Sequence, residues 1–336
     1  MSRTCSILGV GVQTGASQPG CLMGPDSFRT AGLVDVVASL GWQVTDLGDA
    51  RIDARPARSH DNPAIHHLAE TCAWIETLEE RAYDASGACD LPIFLGGDHS
   101  LSAGTVPGLA RRAAEKGRPL FVLWLDAHPD LHTLHSTESG NLHGTPTAYF
   151  SGQPGFDAYP PLQAAVDPGN ICMMGIRSVD QPERDCIQAT GIEVHDMRAI
   201  DEHGVLAPLL AFLKRVSASN GLLHQLAAGT HQTHRITQGH HTGTGQRGVL
   251  AQAMASQEIG ARTTALFPQP PQGDTGSEQK RLGVFGLVQG FLGAILAEGP
   301  DIQAKGAGGF LKGLLYRRTV GKVSEHAKAL GTLTGK

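Results

Sequence analysis

The stretch "LFVLWLDAH", residues 120–128, is a continuous apolar run that ends abruptly in charge. A strand without a polar face has to be covered on both sides. That environment is found in a parallel sheet lying between two layers of helices, so this one run already narrows the fold class.

The rest of the first two-thirds agrees with it. "SILGVGV" (6–12), "WQVTDLGD" (42–49), "LPIFLGGDHS" (91–100), "NICMMGIRSVD" (170–180) and "GIEVHDM" (191–197) read as strands. Between them, "DSFRTAGLVDVVASLG" (26–41), with Asp26 as N-cap, "AIHHLAETCAWIETLEERAYDAS" (64–86), "GTVPGLARRAAEKG" (104–117) and "GVLAPLLAFLKRV" (204–216) carry helical periods. The alternation predicts a three-layer α/β fold, a mostly parallel doubly wound sheet with helices on both faces. Ligands of such sheets bind at the carboxyl ends of the strands. Asp98, His99, Asp126, His128, Asp130 and Asp180 all follow predicted strands.

Residues i, i+2 and i+4 of a strand share a face, so Asp126, His128 and Asp130 converge if the extended conformation persists past Ala127. Carboxylate oxygens with imidazole nitrogens suit Mn2+, Fe2+ or Zn2+, and an oxygen-rich set leans towards Mn2+. His99, from "GGDHS", stands after two glycines that allow close backbone approach. Together these residues fit a two-metal site, which needs a carboxylate spanning both ions. A solvated turn with ordinary caps is the plain alternative for the D-x-H-x-D spacing alone. Downstream, "TESGNLHGTP" (137–146) offers Thr137, Ser139 and Asn141 as short donors for a carboxylate, and His143 as a group that exchanges protons near neutral pH. A loop closed by local side-chain bonds is the other reading of that run.

"FLGGDHS", "WLDAHPD" and "SGNLHGTP", in this order, resemble the signatures of the ureohydrolases, and the last is arginase-like; agmatinases share the metal motifs but lack the "SGN" run. "GCLMGPDSFRTAGL", "DLGD" and "MGIRSVDQPE" resemble arginases too, and the likeness covers about residues 5 to 224. The resemblance implies hydrolysis of L-arginine to L-ornithine and urea by a metal-bridging hydroxide, with two Mn2+ per subunit. It places His99, Asp126 and Asp130 on one ion and Asp126 with His128 on the other. Asp130 also holds the hydroxide, and His143 delivers a proton to the leaving amine. Thr137, Ser139 and Asn141 surround the substrate α-carboxylate, with His128 and His132 alongside. Asp180 faces the α-ammonium, and Glu183 is a further acidic contact; His132 stands where many arginases carry Asn. Family members are commonly homo-oligomers in which the C-terminal region contributes contacts.

The last third does not continue the pattern. Up to Val216 the formal net charge is −11, and from Ser217 onward it is +6. Of 43 glycines, 21 fall after Val216, so one chain carries two unlike compositions. The resemblance calls for a second Asp-x-Asp after a strand beginning like "GLLH", then a Glu for the guanidinium. Beyond Val216 the aspartates are Asp274 and Asp301, which cannot form that motif. The division expected is therefore 1–224, an incomplete arginase-like α/β domain, and 225–336, a basic Gly/Thr/His-rich tail that is frame-shifted or disordered. The second Mn2+ should bind weakly for want of carboxylates. His224, His231, His234, His240 and His241 form a separate cluster without a placed role.

An overall charge of −5 speaks against a general nucleic-acid or anionic-membrane binder. No apolar run approaches the roughly 18 residues of a membrane span. "MSRTCSILGVGV" reads as a first strand rather than a leader, and Cys5, Cys21, Cys72, Cys89, Cys172 and Cys186 show no CxxC spacing. A soluble cytoplasmic enzyme acting on a small molecule is expected. Two other functions stay open: an agmatinase-like ureohydrolase, and a catalytically impaired binding protein of the same fold.

Overall fold

A computed structural model describes residues 3–16, 19–227 and 252–258. In chain order the elements are β1 (Arg3–Val10), α1 (Gly24–Thr30), α2 (Leu33–Ser39), β2 (Trp42–Asp49), α3 (Leu68–Ala88), β3 (Leu91–Gly96), α4 (Ser102–Glu115), β4 (Leu120–Leu125) and α5 (Pro146–Phe150). They continue as β5 (Ile171–Ile176), α6 (Gln181–Thr190), β6 (Glu193–Asp196), α7 (Met197–His203), α8 (Leu206–Ala218), β7 (Leu222–Ala227) and β8 (Gln252–Glu258). The strands form one 8-stranded sheet in the order β2-β1-β3-β8-β7-β4-β5-β6. Every pairing is parallel except those of β8, which runs antiparallel to β3 and β7.

The apolar run in β4 is buried along its whole length, and its side chains divide between two faces. Leu120, Val122 and Trp124 join Leu78 and Ala82 of α3 and Val106 and Leu109 of α4 in one core. Phe121, pointing the other way, meets Phe212 of α8 edge-on at 5.8 Å. The α/β fold class is thus realised, with helices on both sheet faces.

Three local expectations change. The helix proposed for 26–41 is two helices, because Gly32 adopts a left-handed φ of 83° and starts a new one. Asp26 sits inside the first turn of α1 and is not its N-cap, which is Met23. A further strand, β8, lies in the stretch expected to be tail.

Packing of α3 on α4 buries a charge. A Cβ on Gly108 would come within 2.2 Å of the Glu79 carbonyl oxygen, so the helices touch backbone to backbone there. Glu79 is buried in that contact, and its Oε1 has no hydrogen bond. Burial holds the carboxyl above its ordinary range; Arg111 opposes this and Glu80 adds to it. A raised acid favours the protonated state on folding, so its ionisation removes stability as pH rises through the folded value. Glu79→Gln should therefore raise the thermal midpoint at pH 8 and give almost no gain at pH 4. Equal gains at both pH values would contradict this account of Glu79.

Candidate active site

The strands β3, β4 and β7 end level with one another. Leu125 pairs with Ala227, and Ala227 with Ala253, next to the Gly96–Gln252 pair. Just beyond this edge, β3 delivers His99 and β4 delivers Asp126. Gly97 makes the approach feasible, since a Cβ there would fall 1.8 Å from the Val12 carbonyl oxygen. Asp98, the residue between, turns away: its carboxylate accepts hydrogen bonds from the Ser100 and Ala16 N–H groups at 2.9 and 2.8 Å.

Extension does not persist past Ala127. β4 stops at Leu125, and Asp130 takes a left-handed φ of 51°. Asp126 and Asp130 converge through a tight loop rather than by strand alternation, and His128 does not join them. That loop is pinned: the Trp124 Nε1–H donates to the His128 carbonyl at 2.9 Å, and the Thr147 N–H donates to the Asp130 carbonyl at 3.0 Å. The Trp124 ring also stacks on His99, with centroids 4.2 Å apart.

Three ligand atoms meet in the resulting pocket. His99 Nδ1 lies 2.9 Å from Asp126 Oδ2 and 2.7 Å from Asp130 Oδ2. His99 is 5% exposed, Asp126 2% and Asp130 4%. One ring hydrogen cannot point at both oxygens, and Asp130 Oδ2 accepts no hydrogen bond despite its closeness. A cation in their midst answers all three atoms at once, so the donor set fits a divalent ion with oxygen and imidazole preference. Burial opposes a charged His99, but the two carboxylates outweigh it and push its pKa up to about 10. Burial likewise raises the Asp126 carboxyl, yet His128 and His99 prevail and hold it below the ordinary range. His128 stands further out, with Nδ1 3.8 Å from Asp126 Oδ1, and Asp126 raises its pKa.

A second group lies alongside. His132 Nε2 is 2.8 Å from Asp180 Oδ2, and Glu183 joins them. Asp180 caps α6 in a reciprocal box: it accepts from the Glu183 N–H, and Glu183 Oε2 accepts from the Asp180 N–H. Glu183 Oε1 also receives the Leu131 N–H at 3.4 Å, which ties α6 to the Asp130 loop. Burial raises the Glu183 carboxyl, and the neighbouring Asp130 adds to the effect.

The loop carrying Thr137, Ser139 and Asn141 is clasped from outside. Asn62 donates to the Leu134 and Thr137 carbonyls at 3.0 and 2.9 Å. Gly140, at φ 68°, accepts from the His66 N–H, and a Cβ there would lie 1.6 Å from the Ala64 carbonyl oxygen. Thr137 is buried, Ser139 exposed, and the buried Asn141 Oδ1 makes no hydrogen bond. His143 Nδ1 is 2.8 Å from the Gly15 carbonyl. A carbonyl only accepts, so Nδ1 carries a hydrogen, and Nε2 is the ring position left to exchange a proton.

Sequence reasoning missed Trp124, Gly15 and the Asn62 clasp. Trp124 was legible only as an apolar residue, and the other two act through backbone groups or across long sequence gaps. Among the described residues, the far side of the edge supplies no carboxylate. From His203 to Gln257 the chain contains no Asp or Glu. Glu258, the next acid, is paired with Leu222 at the amino end of β7, about 17 Å of strand away from the edge. His224 is fully buried within β7, edge-on to Phe94 at 6.4 Å. The other members of its expected cluster lie outside the described residues.

Comparison with known proteins gives the same outline. The family model described as "Arginase family" matches residues 3–225. An arginase of Agrobacterium fabrum is 60% identical over 222 residues, 66% of this chain and 68% of that one. An arginase of Brucella melitensis is 58% identical over 221 residues, 66% of this chain and 72% of its own. The crystal structure of Bacillus subtilis arginase superposes with a TM-score of 0.58 at 32% identity, covering 66% of this chain and 73% of that one. With a matching fold, ligand-type residues gathered at the expected sheet edge and identity at this level, the chain belongs to the arginase family.

Proposed function

We propose that this protein hydrolyses L-arginine to L-ornithine and urea, using Mn2+ held at the carboxyl ends of β3 and β4. The observation that carries the reading is the meeting of His99 Nδ1 with the Asp126 and Asp130 carboxylates, in a chain of the arginase family. In this reading His99, Asp126 and Asp130 would hold one ion, and Asp126 with His128 would hold the second. Bound ions supply a water acidic enough to act as a nucleophile at neutral pH. Asp130, whose Oδ2 would face the ion, would also orient the nucleophilic water towards the guanidinium through its carboxylate. His143, kept in one tautomer by Gly15, presents Nε2 to carry a proton to the departing amine. Thr137, Ser139 and Asn141 receive the α-carboxylate, and Asp180 with Glu183 receives the α-ammonium. His132 Nε2 already lies 2.8 Å from Asp180 Oδ2, so the ammonium would compete with it for that oxygen. A cytoplasmic compartment and a homo-oligomeric assembly are part of the same reading; six cysteines free of disulfides fit the first.

Among the described residues the second ion would have only Asp126 and His128 at hand, so turnover by this chain should be slow. We propose that residues 225–336 are not the native continuation but a shifted reading frame. Supporting this are the end of the family match at residue 225, the change in charge after Val216, and the lack of any Asp or Glu from His203 to Gln257. Sequencing the gene from the Val216 codon to its stop tests it. A neighbouring frame encoding Asp-x-Asp just past His224 is the expected result, and three frames without one would refute the shift.

Urea release from L-arginine and from agmatine, each with Mn2+, tests the substrate. Arginine should be preferred. Asn141→Ala should raise its KM by about tenfold, the effect of one lost hydrogen bond of roughly 1.4 kcal/mol to a charged group, and leave agmatine unaffected. A preference for agmatine would overturn the arginine assignment.

A further inference from the structure

Away from the arginine site, three ligand-type side chains gather where no step of the proposed reaction uses them. Cys172 in β5 stands directly opposite Glu193 in β6, and His195 is two residues further along the same face of β6. His195 Nε2 lies 2.7 Å from Glu193 Oε1, and the Cys172, Glu193 and His195 ligand atoms all fall within 4.8 Å of one another. Cys172 is fully buried, whereas the Glu193 and His195 side chains are 29% and 26% exposed, so the group opens to solvent on one side. Cys172 precedes the end of β5 by four residues, about 13 Å of strand, which separates it from the sheet edge.

We infer that Cys172, Glu193 and His195 form a binding site for a thiophilic divalent cation of the zinc type, distinct from the Mn2+ site. Thiolate with imidazole is a soft-to-borderline donor pair, unlike the oxygen-rich set at the sheet edge. Ligand atoms around a tetrahedral zinc ion stand roughly 3.3–3.8 Å apart. The thiol therefore needs to move by no more than about 1.5 Å, and the Glu193–His195 pair must part slightly from 2.7 Å. Binding forms one bond each from sulfur, oxygen and nitrogen, and releases the thiol proton, and any proton on His195, to water. One thiolate, one carboxylate and a neutral imidazole then balance the charge of the ion, with the open side left for a water ligand.

Arg215 of α8 now occupies the counter-ion role, paired with Glu193. Its side chain is 47% exposed and can leave to solvent when the ion arrives. Burial, reinforced by Glu193, raises the thiol pKa, so the empty site keeps Cys172 protonated and buried beside a carboxylate. A bound ion would tie the edge strand β6 to β5.

Titrating the full-length chain with Co2+ and following thiolate-to-cobalt charge-transfer absorbance tests this, because the Mn2+ site has no sulfur. One equivalent of the band is expected, bleached by Zn2+ but not by Mn2+, and retained in Asp126→Asn. Cys172→Ser should abolish it, His195→Ala should weaken Co2+ at least about tenfold, and Arg215→Gln should tighten it. Absence of the band, or its survival in Cys172→Ser, would refute the site. Should Cys172→Ser fail to fold, an unweakened band in His195→Ala, altered at a partly exposed position, refutes it equally. The arginine reading does not enter this test.

Discussion

Asp126→Asn should lower urea release by about 10²–10³-fold, the scale on which groups that stabilise charge at a reacting centre are felt. Asn keeps the size of Asp126 and an oxygen for the Ala127 and His128 N–H groups that the carboxylate now accepts. The fold should therefore survive, and circular dichroism should show it unchanged. What is lost is charge: His99 would keep only Asp130 as an anionic neighbour, and His128 would keep none within reach as close as Asp126. Both ion positions use this one carboxylate in the proposed arrangement. Activity within tenfold of the parent would mean that Asp126 does not join them.

Trp124→Ala should be the most destabilising single change near the site, costing about 3–5 kcal/mol, as truncation of a large buried aromatic does. Trp124 is fully buried, contacts His99 by stacking and sits in the core shared with α3 and α4. Trp124→Phe keeps most of that volume but loses the N–H bond to the His128 carbonyl, for about 1 kcal/mol. Guanidinium unfolding of the two variants separates packing from hydrogen bonding. A loss below about 1 kcal/mol for the Ala variant would show that the core closes around the gap.

The central strand was legible because "LFVLWL" admits few other environments, and its neighbours followed from alternation. Boundaries were harder where glycine decides them: Gly32 splits a helix whose apolar period runs on unbroken. The types of side chain at the candidate site were also legible. Their geometry was not, because the turn at Asp130 depends on a left-handed backbone held by Thr147 and Trp124, which no spacing rule encodes. The pairing of His132 with Asp180, 48 residues apart in sequence, likewise needs the α6 cap to bring it about. The antiparallel β8 had no strand signal in "QAMASQE", whose small and polar residues owe their conformation to the β3 and β7 edges on either side. Cys172 looked like a core thiol, and only the register of β5 against β6 sets it beside Glu193 and His195.

In the proposed reading this chain supplies one side of a metal centre. Equilibrium dialysis of the full chain against Mn2+ addresses that directly, with Asp126→Asn to identify sites at the sheet edge. One tightly bound ion per chain, lost in the variant, is the predicted result. Two tight ions would contradict it, since residues past Ala227 would then have to complete the centre without the missing carboxylates.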